Sequence, residues 1–237
     1  MSIKLITWNI WFNESNRTAR TINIMNEIML LNPDFVAFQE VTIETSRIID
    51  RLKKDYHLIG YPLRQTYDTL ILSRYASLEW SRYELPNTKM GRNLLLGDFK
   101  VNGVIQQIGT FHLESVFPRN DIKQNQLSYI SEITTENCIL MGDTNFTVNK
   151  IPLPEPLIDI FEKIDSPQAY QYTYSGKTNK NIRNKKMNSR LDRIYLKNPS
   201  NKISQFILLG TEPKIYDEET DRYVQLSDHY GIQATII

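Results

Sequence analysis

Residues 138–145 read CILMGDTN, and in this stretch an apolar run turns into a polar cluster. A short apolar run that becomes polar at once is typical of a buried strand ending in a loop. The same pattern occurs at residues 5–9 (LITWN), 35–40 (FVAFQE), 104–112 (VIQQIGTFH) and 223–229 (YVQLSDH). One acid or amide after a strand is mostly a turn or cap residue. Five such clusters predict a sheet protein with its chemistry in the loops at the strand ends.

Strand-like runs outnumber helical ones along the chain. The strand-like runs are residues 3–9, 35–39, 69–73, 94–101, 104–111, 137–141, 191–196, 203–208 and 231–237. Helical spacing occurs over residues 19–29, before Asn-Pro at 32–33, and over residues 122–133, after Pro118. Asn-Gly at residues 102–103 predicts a two-residue hairpin turn. Hairpins with a few helices indicate an α/β fold on mixed sheets, and not a regular doubly wound sheet.

Length and composition limit the possible classes of protein. A chain of 237 residues without repeats or a linker rich in Gly or Ser is expected to form one domain, residues 1–237. Its net charge of +1 gives no overall attraction to nucleic acid or to an acidic membrane, so any such attraction needs a local patch. The single cysteine, Cys138, excludes an internal disulfide and is expected to be inert in its strand. With no signal-peptide pattern and no apolar run of roughly 18 residues, we expect a soluble intracellular protein, nuclear or cytoplasmic.

One segment, residues 177–193, is strongly basic, with Asp192 as its single acid. Its cations are Lys177, Lys180, Arg183, Lys185, Lys186, Arg190 and Arg193. Such a run is usually a solvated loop. Beside a phosphodiester site it would instead form an edge that binds the nucleic-acid backbone.

The first two clusters suggest a metal site. Glu40 is the best candidate ligand, because Mg²⁺ prefers a small number of carboxylates and keeps several waters. Asn9 would orient that carboxylate or a metal-bound water. Seen alone, Glu40 could also be a residue near a helix N-cap before Thr42. A bound Mg²⁺ would polarise a phosphoryl oxygen and screen the negative charge that develops on it.

The later clusters supply acid–base groups. Asp143 would position and deprotonate an attacking water, and Asn145 would hold the phosphate or that water. His229 would meet the charge that builds on phosphorus, with Asp192 fixing one imidazole tautomer. His112 also falls at a strand end. The remaining histidine, His57, is expected to be structural.

Six short motifs stand in order along the chain, and they resemble those of the endonuclease/exonuclease/phosphatase superfamily. They are TWNI (7–10), QEV (39–41), HLES (112–115), GDTN (142–145), LDRI (191–194) and SDH (227–229). Within the superfamily the chain most resembles the tyrosyl-DNA phosphodiesterases. That closer resemblance rests on PNTKM (86–90), RNLL (92–95), the HLES motif and QYTY (171–174).

The resemblance implies a four-layered α/β/β/α sandwich of two mixed sheets flanked by helices. It also implies a DNA-repair enzyme that uses Mg²⁺, with Mn²⁺ as an alternative ion. The expected reaction is hydrolysis of the bond between a tyrosine and the 5′ phosphate of DNA, as left by an abortive type II topoisomerase. The implied partner is a DNA end with a linked tyrosine or peptide, preferably single-stranded, or protein-linked RNA. No membrane, no ubiquitin-binding module and no second subunit are expected, since the chain starts at the catalytic domain and one compact domain needs no partner to fold.

Site residues follow from the resemblance position by position. Glu40 resembles the metal ligand with Asn9 beside it, and Asp143 and Asn145 resemble the water-positioning pair. His229 resembles the group that stabilises the transition state.

Further residues resemble the family's phosphate and substrate contacts. They are His112 and Ser115 at the phosphate, Asp192 as the partner of His229, Asp228 as a supporting acid, Tyr67 and Arg92 in the substrate groove, and Tyr174 as a stacking residue. Tyr67 and Tyr174 would stack on an end base, because every base offers a π face.

The chain departs from the family pattern at four places. Trp11-Phe12 stand where an acid and a glycine are usual, so this loop is expected to pack or to grip the substrate differently. Phe-Thr-Val at residues 146–148 replaces a leucine, an arginine and an acid, so one phosphate-contacting cation is expected to be missing. Tyr174 replaces a tryptophan, and Leu226 replaces a proline.

Two other functions remain open at this point. One keeps the chemistry and changes the substrate, as in an abasic-site endonuclease, a DNase, a deadenylase or a phosphoinositide phosphatase. The other is a catalytically silent module that holds nucleic acid with residues 177–193. The presence of every polar residue named above argues against the silent module.

Overall fold

Two six-stranded mixed sheets form the frame of the protein. The structure is a computed structural model that describes residues 2–116, 119–147, 151–164, 171–198 and 200–237. Pro118 and Val148, which the sequence interpretation used, lie outside the described residues.

The first sheet contains one parallel pair, β1 with β2, and its other neighbours are antiparallel. In spatial order its strands are β13 (Ile203–Leu209), β16 (Gly231–Ile236), β1 (Ile3–Asn9), β2 (Phe35–Thr42), β4 (Tyr67–Ser73) and β3 (His57–Ile59).

The second sheet repeats this plan, with β7 and β8 as its parallel pair. In spatial order its strands are β5 (Ser77–Glu84), β6 (Asn93–Val101), β7 (Val104–His112), β8 (Cys138–Asp143), β12 (Asp192–Leu196) and β9 (Ile158–Asp159). β6 and β7 are joined by the predicted hairpin, in which Asn102 and Gly103 both have positive φ, 51° and 85°.

The remaining elements are helices and two short hairpins. The α-helices are α1 (Arg17–Leu31), α2 (Ile43–Ile49) and α3 (Asn120–Ile133), and 3₁₀ turns cover Asp50–Lys54 and Ile160–Lys163. The hairpins pair β10 (Tyr174–Ser175) with β11 (Asn188–Ser189), and β14 (Ile215–Asp217) with β15 (Arg222–Val224). In the described ranges, no helix has the length and apolar character that a membrane crossing requires.

The apolar core explains the order of the layers. Alternate residues of β1 face opposite ways, so that Leu5 packs between the two sheets while Ile6 packs against α1 beside Ile24. On the second sheet, Met141 faces the first sheet and Leu140 packs against α3. The layers are therefore helix, sheet, sheet and helix, which confirms the predicted α/β/β/α sandwich.

The nine predicted strands are all present: β1 has the predicted ends, and the other strands differ by up to three residues at an end. The sequence does not predict β5, since it is an edge strand with exposed apolar side chains such as Leu78. It also misses α2, whose Thr42 N-cap exchanges hydrogen bonds with Thr45. Cys138 is buried in β8, where burial raises the pKa of its thiol, as expected for an inert packing residue. His57 lies exposed on edge strand β3.

Candidate active site

One edge of the two sheets collects the polar ends of the strands. The parallel pairs β1–β2 and β7–β8 all end at this edge, with His112 opposite Asp143. β12 and β16 run antiparallel to their neighbours and therefore begin there, which places Asp192 opposite Asp143. His229 comes just before β16, so this following strand positions it. The prediction that a strand over residues 223–226 leads into His229 is wrong, because that region forms only the short β15.

Side-chain alternation turns these polar residues toward the space between the sheets. Leu5 lies in the core between the sheets, and Asn9, four residues later on β1, faces the same way. On β8, Met141 lies in the core between the sheets, and Asp143, two residues later, faces the same way. Gly142 between them allows close packing, since a Cβ there would lie 2.0 Å from the carbonyl oxygen of Phe111. Gln39, His112 and Asp192 also lie on the faces of their strands that point toward the space between the sheets.

Glu40 reaches the site because β2 carries a β-bulge. It follows the inward-facing Gln39, so regular alternation would point it toward the helices. The register of β2 against β4 shifts between Phe38 and Val41, and Glu40 has a φ of 60°. Its Oε2 then accepts the backbone N–H of Phe12 at 3.0 Å. The predicted strand end at Gln39 is therefore wrong, because Glu40 lies inside β2 at a bulge, a device common beside active sites.

Asp143 lies at the centre of the site and is buried. Its Oδ2 accepts Asn9 Nδ2 at 3.0 Å, and its Oδ1 accepts the backbone N–H of Asn145 at 2.8 Å. The Nε2 atoms of His112 and His229 lie 3.4 and 3.8 Å from Oδ2. Burial alone would raise the pKa of Asp143, but the two imidazoles and these hydrogen bonds lower it. Asp143 is therefore an ionised carboxylate that accepts hydrogen bonds from Asn9 and Asn145 and lies close to two imidazole rings.

Asn9 and Asn145 have contacts that differ in part from their predicted ones. Asn9 supports Asp143 and not Glu40, and its Oδ1 accepts the backbone N–H of Trp11 at 3.0 Å. Asn145 has a φ of 53°, and its side-chain amide donates to the Leu113 carbonyl at 3.0 Å.

His112 joins Asp143 to the predicted substrate groove. Arg92 Nη1 lies 2.8 Å from His112 Nδ1, and because a guanidinium only donates, the Nδ1 must be the acceptor. Burial and the Arg92 charge lower the pKa of His112 to about 3. Arg92 also donates to Ser115 Oγ at 3.2 Å and lies 5.6 Å from the ring of Tyr67. His112 is thus neutral and carries its proton on Nε2, toward Asp143.

His229 has the opposite charge state. Its Nδ1 lies 2.8 Å from Asp192 Oδ2. Burial disfavours the charged imidazole, but Asp192, Asp143 and Asp228 together hold the pKa of His229 well above its usual value. Tyr174 packs edge-on against the ring at 5.1 Å between centroids. His229 is therefore an imidazolium whose Nε2–H points into the site.

Acidic groups accumulate around Glu40. Burial raises the pKa of Glu40 to about 7, and Asp228 acts in the same direction. Burial also raises the pKa of Asp228, whose Oδ1 lies 3.4 Å from Ser227 Oγ. A divalent cation beside these carboxylates would offset their repulsion, and carboxylate and amide oxygens are ligands that Mg²⁺ accepts. The donor set around Glu40 therefore fits a magnesium ion.

A second group could also hold a metal. Single ligand atoms of Asp143, Asp192 and His229 lie within 4.8 Å of one another. The close Asp192–His229 hydrogen bond already occupies Nδ1, however, and a metal on that nitrogen would have to displace it. The geometry of this group favours proton and charge control, and that of Glu40 favours the cation.

A cleft opens beside His229. Its charged and aromatic lining consists of two aromatic residues, Trp11 and Tyr174, three cations, Lys180, Arg183 and Arg222, and three acids, Asp217, Glu219 and Asp228. The basic segment contributes to this cleft only in part. Arg190 and Arg193 are buried, and both bind Asp159 Oδ2, at 2.6 and 2.7 Å. The prediction that residues 177–193 form one basic edge is therefore wrong for these two arginines.

Three residues near the site were not singled out from the sequence. Arg20 of α1 is buried behind the loop at residues 10–15, Lys123 of α3 donates to the Asn145 carbonyl at 2.7 Å, and Gln39 donates to Thr110 of the other sheet at 2.9 Å. Gln39 could have been found from the alternation of β2. Arg20 and Lys123 have no comparable signal, since cations on helices are usually exposed.

The departures from the family pattern have definite places. The ring of Phe12 stacks on Tyr67 at 5.1 Å between centroids. Trp11, with a φ of 62°, lines the cleft on the other side. Phe146 is buried against α3, with Lys123 Nζ 5.5 Å from its ring. The predicted loss of one phosphate-contacting cation stays a prediction, since Val148 lies outside the described residues.

Comparison with known proteins gives consistent matches. Tyrosyl-DNA phosphodiesterase 2 of Gallus gallus is 29% identical over 209 residues, which cover 83% of this chain and 57% of the chicken protein. The Rattus norvegicus protein of the same name is 29% identical over 251 residues, covering 99% of this chain and 67% of its own. The chain thus spans little more than half the length of the chicken relative. A crystal structure of D. rerio TDP2 complexed with single strand DNA product has a TM-score of 0.88 at 26% identity, covering 100% of this chain and 99% of that one.

The sequence model of one family accounts for nearly the whole chain. The Endonuclease/Exonuclease/phosphatase family matches residues 6–229, a range that includes the polar end of every strand-end cluster described above. This match and the two-sheet sandwich agree, and the chain belongs to the Endonuclease/Exonuclease/phosphatase family.

Proposed function

We propose that this chain is a magnesium-dependent phosphodiesterase that hydrolyses the bond between a protein tyrosine and the 5′ phosphate of DNA, a repair activity, within a single catalytic domain of residues 1–237. The observation that carries the proposal is the meeting of Glu40, Asp143 and His229 at one sheet edge, beside a cleft lined by aromatic residues and by charged residues of both signs. The matched relatives, named tyrosyl-DNA phosphodiesterase 2, support the substrate class.

Asp143 is the group proposed to position the attacking water and to take its proton. Its donors, Asn9, Asn145 and His112, fix the carboxylate, so an oxygen lone pair can be held toward the water. A carboxylate with a lowered pKa is a weak base. Its contribution is therefore mainly orientation, with proton transfer completed as the water becomes more acidic during attack.

His229 is proposed to stabilise the transition state. Its charged imidazole has one N–H directed to Asp192, so the Nε2–H is the free donor toward a phosphoryl oxygen. A fixed, charged donor in a buried site stabilises developing negative charge more than one in water does. Arg92 and Ser115 would bind another oxygen of the phosphate, near neutral His112.

Glu40, with Asn9 and Asp228 nearby, would hold the magnesium ion. When bound, the ion supplies Lewis-acid polarisation of the phosphoryl oxygen. The pKa of Glu40 is raised because its carboxylate is buried near other acids, and a bound cation would favour its charged form.

The cleft beside Tyr174 is proposed to hold a single-stranded DNA end. Exposed cations, Lys180 and Arg183, flank Trp11 and Tyr174, and single-strand sites combine backbone-tracking cations with aromatic stacking. The D. rerio relative was solved with a single strand DNA product, which supports single-stranded DNA as the class of ligand. DNA is the proposed polymer, with protein-linked RNA as an alternative, and the active form is proposed to be a monomer.

The test is release of tyrosine from a single-stranded oligonucleotide that carries a 5′-phosphotyrosine. The assay is run with Mg²⁺, with Mn²⁺ and with excess chelator, beside an RNA version and an abasic duplex. Asp143→Asn, purified in the same way, controls for contaminating nucleases. We expect metal-dependent release from the DNA substrate by the wild-type protein alone. Cleavage of only the abasic duplex would refute the substrate and keep the family chemistry, and binding without cleavage of any substrate would favour the silent module.

A further inference from the structure

Arg20 is a buried arginine, and among the residues that the structure describes no carboxylate bonds to its side chain. It projects from α1, and it is 1% exposed. Its Nε donates to the carbonyl of Ser15 at 2.9 Å, and its Nη2 to those of Asn13 at 2.6 Å and Trp11 at 3.3 Å. Its Nη1 donates to Ile10 at 3.0 Å and to Leu226 at 3.3 Å. All five N–H groups of a guanidinium are thereby matched by five carbonyl oxygens.

Four of these carbonyls belong to the loop at residues 10–15, which connects β1 to α1. The same loop supplies the Phe12 N–H that binds Glu40 Oε2. The guanidinium also lies 4.7 Å from the ring of Trp11, a residue of the cleft. The conformation of this loop therefore determines where the carboxylate of Glu40 points.

The fifth carbonyl, that of Leu226, belongs to a different part of the site. It precedes Ser227, whose Oγ donates to the Asn9 carbonyl at 2.7 Å and accepts the backbone N–H of His229 at 3.2 Å. One side chain thus connects the backbone beside Glu40 to the backbone beside His229.

Resting on the proposed function, we propose that Arg20 is a positioning residue: its five hydrogen bonds hold the loop at residues 10–15 against residue 226, so that the Phe12 N–H and Glu40 are preformed for the metal. Arg20 does not touch the substrate. Its side chain acts through Glu40 on the metal side and through the 226–229 backbone on the His229 side.

Arg20→Lys is the variant of choice, because lysine keeps the positive charge and loses the planar fork. A lysine ammonium has three donors on one atom, and it cannot serve five carbonyls spread around a plane. Because the variant keeps the positive charge, its electrostatic effect on Glu40 and Asp228 stays nearly constant. The matched control is Lys197→Met, which removes a buried cation that binds the carbonyls of Ser131 and Thr134 on α3 and just after it.

The first measurement is Mg²⁺ affinity by calorimetry on the protein without substrate. We expect Arg20→Lys to weaken Mg²⁺ binding by about 10- to 100-fold, the usual range for a residue that orients a metal ligand. In the cleavage assay, kcat at subsaturating Mg²⁺ should fall by a similar factor, with a smaller change in KM for the oligonucleotide. Lys197→Met should lower the Tm and leave Mg²⁺ affinity unchanged.

The proposal would be overturned if folded Arg20→Lys bound Mg²⁺ as tightly as the wild-type protein does. It would also be overturned if Lys197→Met weakened Mg²⁺ binding as much as Arg20→Lys does. If Arg20→Lys does not fold, amide exchange of the wild-type protein replaces it. The Phe12 amide is expected to be protected, and exchange at the rate of an unfolded chain would refute the inference. A wild-type protein that binds Mg²⁺ but releases no tyrosine would end the proposed function and leave the Arg20 test valid.

Discussion

Replacing Asp192 by Asn tests how His229 obtains its charge. The substitution keeps an oxygen that can accept the Nδ1–H and removes the negative charge at 2.8 Å. With charge centres about 4 Å apart and an effective dielectric constant of about 20, the lost attraction is about 4 kcal/mol, or about 3 pKa units. Asp143 and Asp228 still raise the pKa of His229, so we expect it to fall by 1 to 3 units, the usual range for such pairs.

The sign of the pH effect follows from the role of the imidazolium. Because the pKa of His229 is raised, the charged form persists above its usual range, and loss of that charge should reduce activity on the alkaline side. In Asp192→Asn the alkaline limb of the kcat/KM profile should therefore move 1 to 3 pH units lower. The assay is initial-rate cleavage from pH 5.5 to 9.5 at saturating Mg²⁺, with NMR titration of His229 in both proteins.

Asp98→Asn is the matched control for this experiment. Asp98 also accepts a side-chain hydrogen bond, but from the neutral amide of Gln107 at 2.9 Å, and it lies on β6 away from the polar edge. Its pH profile should match that of the wild-type protein. An unshifted alkaline limb in folded Asp192→Asn would refute the assignment of His229 as a charged donor.

Three further predictions concern separate parts of the site. Asp143→Asn should lower kcat by about 10² to 10⁴. Its free energy of unfolding, measured by chemical denaturation, should fall by about 1 to 3 kcal/mol, because an amide N–H₂ would face the donors of Asn9 and His112. Full stability with full activity would contradict both roles of Asp143. Glu40→Gln should raise the Mg²⁺ concentration for half-maximal activity, and an unchanged metal titration would remove Glu40 from the ligands. Lys180→Ala with Arg183→Ala should reduce the slope of log affinity against log salt for single-stranded DNA by about 1.4, and an unchanged slope would place the strand elsewhere.

The sequence predicts the fold well where apolar runs are continuous. Residues 138–141 and 35–38 are buried on both faces, one toward the other sheet and one toward a helix, so their unbroken apolar pattern identifies them as strands. β5 is missed because it lies at the edge of the second sheet, where Leu78 and Trp80 remain exposed and no face is fully covered. An edge strand has fewer packing constraints, and its sequence carries less information.

For the candidate site, the sequence predicts the Asp192–His229 hydrogen bond, which the structure shows, but it does not predict the other partners. Asn9 was expected to orient the Glu40 carboxylate or a metal-bound water, and its side-chain amide donates to Asp143 of the other sheet. That contact depends on how the two sheets face each other, which no local pattern encodes. Likewise, the bulge at Glu40 needs a left-handed backbone at a non-glycine residue, and no local sequence pattern predicts this conformation.

The two buried arginines are a further feature that the local sequence does not predict. Arg190 and Arg193 belong to the most basic stretch of the chain, and charge counting assigns them to a surface. Arg190 is one step before Leu191 and β12, and both guanidinium groups turn inward to share Asp159 of neighbouring strand β9. Distinguishing these two from exposed Lys185 and Lys186 requires the strand pairing, and the pairing is set by contacts distant in sequence.

The location of the site follows from the way the two sheets are joined. Hydrogen bonds from the first sheet to the second link Asn9 to Asp143, His229 to Asp192 and Gln39 to Thr110, just beyond the apolar core between them. A shift of one residue in any of these strands would turn its polar side chain toward a helix layer and leave a buried partner unpaired, at a cost of about 1 to 3 kcal/mol for each such group. The same bonds therefore specify how the sheets face each other and hold the reactive groups. Because this edge is where the space between the sheets first meets solvent, the groups keep access to water and substrate while partners from both sheets fix their positions.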